Sequence, residues 1–181
     1  MLQGQRIGLR TVRAADLDEL YERHVDIANR GDFFPLGVQS ETKFRRGFEE
    51  NGFWERDEGM LVIVDGDGRI VGHIEFFLAV SYWDAYELSY QLYEDGAAGR
   101  GYTTEAVQLL VDYLFDTRPR YRIHLIIAPD NAASRRIAEK CGFSLEGTVR
   151  GAFYHRGRNK DVLMYSLLRD DPRPWRSDAS A

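Results

Sequence analysis

The sequence predicts a single α/β domain built on a twisted mixed sheet, with parallel and antiparallel strand pairs and helices on both faces. Three observations predict it. Hairpin-like segments come first and strand-helix-strand-helix segments follow, an order that a mixed sheet accommodates. The run Ile123 to Ala128 (IHLIIA) is nearly all apolar, as a strand buried on both faces should be. A glycine-rich turn, Gly96 to Gly101, joins an alternating segment to an amphipathic one.

Taken in order, Gln5 to Val12 alternates like a short strand, and Ala14 to His24 places Leu17, Leu20 and Tyr21 at helical spacing. Asn29 to Ser40 carries two glycines, a proline and two phenylalanines, the composition of an irregular connection, and apolar loops often line pockets. Glu41 to Trp54 can form a second helix. Met60 to Val64 and Ile70 to Val80 flank Asp65-Gly66-Asp67-Gly68, a hairpin pattern whose turn needs positive φ. Trp83 to Tyr93 alternates Tyr86, Leu88, Tyr90 and Leu92 against Glu87, Ser89 and Gln91, so it reads as a strand with one apolar face. Tyr102 to Phe115 aligns Ala106, Val107, Leu110, Val111 and Leu114 on one stripe, and Pro119 marks the end of that helix. Asn131 to Cys141 is a short helix, capped by Asn131 and stopped by Gly142. Phe143 to Arg150 and Lys160 to Leu168 read as the last of about seven strands, joined by an irregular loop, GAFYHRGRN. One domain therefore spans 1–169, and the tail 170–181 reads as unstructured.

The 181 residues suffice for one core but not comfortably for two. Twenty-four basic against 29 acidic residues give a net charge of −5, which lacks the basic footprint of a nucleic-acid binder. One cysteine, Cys141, excludes an internal disulfide and a multi-cysteine metal site, and no metal is expected. MLQGQRIGLR has no signal-peptide core and no run approaches a membrane span, so a cytoplasmic address and no membrane partner are expected.

The turn GAAGRG carries the functional signal. Glycine lets backbone amides approach a ligand closely, at an entropic cost that a plain connector need not bear. A strand that ends there and opens a helix aims unpaired N–H groups and the positive helix end at the turn's occupant, which makes an anion site. Successive amides suit phosphate or pyrophosphate oxygens, and Arg100 adds a charged donor. Tyr102 stands where a Walker loop would continue with Lys, and Thr104 where a dinucleotide fingerprint wants Gly or Ala, which demotes an NAD-type oxidoreductase.

Gly96-x-x-Gly99-x-Gly101 followed by Tyr-Thr-Thr-Glu-Ala resembles the acyl-CoA pyrophosphate loop of GNAT-superfamily N-acetyltransferases, usually Gln/Arg-x-x-Gly-x-Gly/Ala. Asn131-Ala-Ala-Ser134, Glu139-Lys-Cys-Gly-Phe143 and Glu146-Gly147 resemble the family's second signature. The ending, Arg150 to Leu168 with Asp161, is similar to the RimJ/RimL-like branch, which acetylates protein N-terminal or small-molecule amines. The resemblance implies a GNAT fold and an acyltransferase that moves acetyl from acetyl-CoA directly to a primary amine. It implies that Tyr90, Gln91 and Leu92 pair with the pantetheine arm. It also implies that the segment holding Gly96, Ala98, Gly99, Arg100, Gly101, Tyr102 and Thr103 grips the pyrophosphate, with Asn131, Ser134 and Arg135 nearby. Gly96 replaces the usual Gln or Arg, so Arg100 would have to compensate. A homodimer is left open.

Acetyl transfer needs a neutral amine and a proton for the departing thiolate. The tyrosine acid common in the superfamily is replaced by Ala138, which makes Ser134 the substitute acid, although Ser134 can equally be a first-turn residue bonding local backbone. Ile126 and Phe153 stand where relatives have carboxylates. Glu75 and Glu87 remain as bases, acting through a water. Phe33, Phe34, Trp83, Tyr154 and His155 are candidates for the acceptor pocket, or for ordinary packing residues. The missing acid and bases also motivate an alternative, a non-catalytic acyl-CoA-binding or regulatory module.

Overall fold

The computed structural model describes residues 1–93 and 99–176. The elements in chain order are β1 (Leu2–Gln3), β2 (Gly8–Thr11), α1 (Leu17–Val25), α2 (Glu41–Asn51), β3 (Gly59–Val64), β4 (Ile70–Phe77) and β5 (Ala85–Leu92). There follow α3 (Tyr102–Thr117), β6 (Arg122–Ile127), α4 (Ala132–Lys140), β7 (Ser144–His155) and β8 (Arg158–Leu168). One eight-stranded sheet runs β1-β2-β3-β4-β5-β6-β8-β7, and β5 with β6 is its parallel pair. The eighth strand is the two-residue β1, too short to show a period.

Alternation sorts side chains to two cores. Leu61 and Ile63 face α3, joining Ile7, Leu9, Ile74, Phe76 and Tyr86 against Ala106, Val107, Leu110, Val111 and Leu114. Val62 and Val64 face the other way, packing with Val12 and Ile70 against Leu17, Leu20 and Phe44 of α1 and α2. Helices therefore cover both faces. Each fully buried aliphatic side chain contributes about 1.5–3 kcal/mol, so the α3 stripe anchors the glycine turn ahead of it.

Caps set the helix ends. Ser40 accepts from the Lys43 amide, and α2 stops three residues short of Trp54 because Gly52 turns left-handed at φ 66°. Asn131 caps α4 by accepting from the Ser134 amide at 3.0 Å, and Gly142 ends it at φ 70°. The connection after α1 is wound around Arg30, whose guanidinium donates to the carbonyls of His24, Pro35 and Gly37. That clamp holds Phe33 and Phe34 in place.

Two sequence expectations change. The segment 151–159, read as a loop, belongs to the β7–β8 hairpin, closed by Arg156 and Gly157 at φ 48° and 80°. Register shifts at Leu145/Gly147 and Val149/Phe153 break its alternation, and the second is fastened by Gly151 N donating to Asp161 and Asn159 Nδ2 donating to Gly151 O. The tail, read as unstructured from Asp170, is docked through Arg176. Asp112 of α3 receives Arg173 at 2.7 Å and the Trp175 indole N–H at 2.8 Å, and Arg176 reaches Asp116 at 2.9 Å.

Asp112→Ala would leave the Arg173 guanidinium and the Trp175 N–H without their acceptor. A buried or half-buried donor so stranded costs about 1–3 kcal/mol. Urea titration should show a lower midpoint with an unchanged slope.

Candidate active site

The parallel pairing of β5 with β6 lasts for three residues: Ala85 with Arg122, Tyr86 with Ile123, and Glu87 with His124. Beyond that point β5 continues against β4, and Leu125 to Ile127 continue against β8. The two strands part, and a cleft of about 480 Å³ opens between them. Residues Glu87 to Leu92 form one wall and Leu125 to Ala128 the other. The β5 edge that faces the cleft has no strand partner, so its amides and carbonyls can pair with an extended ligand that carries amide groups.

At one end the cleft reaches the start of α3. Gly99 and Gly101 hold φ of 76° and 82°, a conformation that a side chain would strain. Nothing lies within 4 Å of the position of a Cβ on Gly99. Gly101 is the N-cap of the 16-residue helix and offers no side chain to its amides, so the N–H groups of the first turn and the positive helix end stay available to an anion. Thr103, Asn131, Ser134 and Ile137 line the cleft as well, together with Phe33, Phe34, Pro35, Phe77 and Phe153. An uncapped helix start joined to a free strand edge fits a diphosphate followed by an amide-bearing arm.

At the fork, Glu87 Oε2 lies 3.2 Å from His124 Nε2. The carboxylate can only accept, so Nε2 carries the proton of this contact. His124 is 2% exposed, its Nδ1 has no hydrogen-bond partner among the described residues, and the Trp83 ring meets it edge-on at 5.9 Å. Further along β5, burial pushes the Tyr90 phenol up to about 12, partly offset by the Ser134 side chain, although the two do not close a full hydrogen bond. Tyr90 therefore keeps its proton at neutral pH.

The sequence profile of the acetyltransferase (GNAT) domain matches residues 6–144. The chain belongs to the GNAT acetyltransferase family. It is 27% identical over 183 residues to the probable N-acetyltransferase YjcK of Bacillus subtilis, covering 94% of this chain and 98% of that one. It is 32% identical over 70 residues to the spermidine N(1)-acetyltransferase of Escherichia coli, 39% of this chain and 38% of that one. Among solved structures, the spermidine N-acetyltransferase of Vibrio cholerae in complex with CoA and spermine superposes with a TM-score of 0.80 at 19% identity, over 93% of this chain and 98% of that one. RimL, a ribosomal L7/L12 alpha-N-protein acetyltransferase in complex with coenzyme A, gives 0.76 at 21% identity, over 91% and 95%.

Of the residues singled out in this GNAT sequence, Glu87, Tyr90, Gln91, Leu92, Gly99, Thr103, Asn131, Ser134, Phe33 and Phe34 line the cleft. Gly96 and Ala98 lie outside the described residues. Arg100 is exposed, Gly101 and Tyr102 start α3, and Arg135 is turned toward the Tyr165 hydroxyl and the Pro129 carbonyl. Three acceptor candidates stand elsewhere. Trp83 backs His124 from behind the fork. Phe153 reaches the cleft, so its strand neighbour Tyr154 points the other way and is 69% exposed. His155 is buried and stacks on Phe153 at 5.5 Å. Sequence reasoning missed Arg30, Ser89 and Ile137; only Ser89 carried a signal, through its place between Glu87 and Gln91.

Glu75 is not in the cleft wall. It faces two smaller pockets on the α1–α2 side, one shared with His73, Tyr93 and Arg30 and the other with Glu50 and Glu58. Although 30% of its side chain stays accessible, dense surroundings and then the Glu58 charge raise its pKa to about 7. Burial, helped by His24 and Arg30, lowers His73 to about 4, so this ring is neutral at pH 7, and its Nδ1 lies 2.6 Å from Tyr93 Oη. The 3.8 Å approach of His73 Nε2 to Glu75 is therefore no ion pair. Glu146 of the second signature is structural, held down to about 2 by the Arg122 guanidinium, with Ser166 donating at 2.7 Å. Burial raises the Cys141 thiol to about 12, which leaves it protonated.

Because Glu75 titrates near 7 when folded and near 4.5 when unfolded, the folded chain binds the extra proton between those values and loses stability as pH rises through them. Glu75→Gln should therefore leave stability unchanged below about pH 4.5. Its gain should grow to about 1–3 kcal/mol by pH 8, measured by denaturant unfolding at each pH.

Proposed function

We propose that this chain transfers an acetyl group from acetyl-CoA to a primary amine, without a covalent enzyme intermediate. The fork between β5 and β6 carries the proposal, because it joins an anion-binding helix start, a free strand edge and a carboxylate in one continuous cleft. The V. cholerae and RimL neighbours are solved with CoA, which supports the same coenzyme here. When bound, acetyl-CoA supplies the thioester acyl group.

The chain's residues divide the remaining work. First-turn amides of α3 would hold the diphosphate, and the Ser89 to Leu92 edge would hold the pantetheine amides. Glu87 takes the proton that an incoming ammonium must lose, directly or through one water, while His124 Nε2–H keeps the carboxylate turned into the fork. The Ser134 hydroxyl stands at the start of α4 as donor to the departing thiolate. Phe33, Phe34, Phe77 and Phe153 exclude water and pack the carbon skeleton of the acceptor.

One observation favours an acceptor with a second positive charge. Phe77 also borders a 360 Å³ pocket lined by Glu50, Glu58 and Glu75 with no Lys or Arg, and two relatives named above act in name on spermidine. A protein N-terminus is the rival acceptor.

Thiol release from acetyl-CoA over a panel of spermidine, an arylalkylamine and a peptide with a free N-terminus tests the reading. Turnover with at least one amine is expected, whereas CoA binding without turnover on any amine would favour a non-catalytic module. Glu87→Gln should lower kcat by about a hundredfold or more while leaving CoA affinity unchanged. Equal kcat in wild type and variant would remove Glu87 from the proton path.

A further inference from the structure

The start of α3 has a visitor from the opposite end of the sequence. A Cβ on Gly101 would stand 2.8 Å from Arg6 Nη1, so the Arg6 guanidinium lies directly over the glycine that opens the helix. Its placement is built. Glu105, in the first turn of α3, accepts from the Gln5 amide and, through both oxygens at 3.2 Å, from the Arg6 amide. A Cβ on Gly4 would collide with that same carboxylate, so Gly4 is what allows the turn to close on it.

The guanidinium itself is left over. Among the described residues it has no hydrogen-bond or ion-pair partner, and the nearby carboxylate of Glu105 is engaged by backbone amides. The exposed guanidinium beside the positive end of a 16-residue helix is repelled by it, and an anion between the two reverses that sign. Gly96 leaves the usual loop Gln or Arg position without a side-chain donor, and Arg6, like Arg100 of the turn, is exposed.

We infer that Arg6 is a coenzyme-binding residue that donates to the phosphate-bearing end of CoA, supplying from the N-terminal segment a charged donor where Gly96 replaces the usual Gln or Arg. The inference rests on the acetyl-CoA reading given above. Guanidinium and phosphate make short, charge-assisted and often bidentate bonds. The coenzyme offers two such groups, the diphosphate and the 3′-phosphate.

The test is titration of wild type, Arg6→Ala and Arg6→Lys with CoA, 3′-dephospho-CoA and pantetheine, at low and high salt. Arg6→Ala should bind CoA about tenfold more weakly than wild type at low salt, with a shallower salt dependence, and Arg6→Lys should recover part of the loss. Pantetheine affinity should not change. A loss confined to CoA assigns the 3′-phosphate, and an equal loss with 3′-dephospho-CoA assigns the diphosphate. Unchanged CoA affinity in Arg6→Ala overturns the inference while leaving the acetyl-CoA reading intact. So does a parallel loss of pantetheine, which would mark a general structural defect. Wild type that binds no CoA removes both.

Discussion

Two neighbouring strands that stop pairing after three residues impose the constraint on which the rest of this molecule depends. Each remains satisfied on its outer side, β5 by β4 and β6 by β8, so separating them does not fray the sheet. What it leaves is a strand edge facing inward with no neighbouring strand among the described residues, and backbone groups on such an edge need water or a ligand to meet them. The helices after each strand then have a fixed task. α3 and α4 start at the same end of the opening, with Gly101 and Asn131 as their N-caps, so the polar beginnings of both converge on one side of the cleft.

The charged groups around this opening fall into two kinds. Arg30, Arg122 and Arg169 are consumed by structure: the first ties a loop, the second fixes Glu146, and the third donates to the carbonyls of Phe115, Arg118 and Arg120. Glu87 lines the cleft at the fork beside His124, and the Arg6 guanidinium lies over Gly101 at the start of α3. Glu75 is a third case, a carboxylate kept half-neutral by crowding and by Glu58, set behind Phe34 and Phe77 and not between the parted strands.

Much of the architecture was legible because it follows from periodicity. The all-apolar run of β6, the stripe of α3 and the Asp-Gly turn each stated their element, and the glycine turn with its helix stated the anion end. The two strands of the β7–β8 hairpin were read, but their extension through 151–159 was not legible, since β7 is an exposed edge strand with two register shifts and so shows neither alternation nor a buried face. The docked tail was hidden because its partner, Asp112, lies about sixty positions upstream. Glu75 misled because its side chain lines two smaller pockets on the α1–α2 side and not the cleft between the parted strands. Arg6 carried no local signal at all; its meaning comes from a contact across nearly a hundred residues of chain, made possible by Gly4 and Glu105 together.

The short opening strand β1 and its turn have a practical corollary for anyone producing this protein. Met1 already touches the sheet beside Gly8, and only four residues separate it from Arg6. An affinity handle fused to the amino end would therefore lie close to Arg6 and the start of α3. Handles belong at the opposite terminus, beyond Arg176, where the docked segment against Asp112 and Asp116 insulates the fusion from the working end of the molecule.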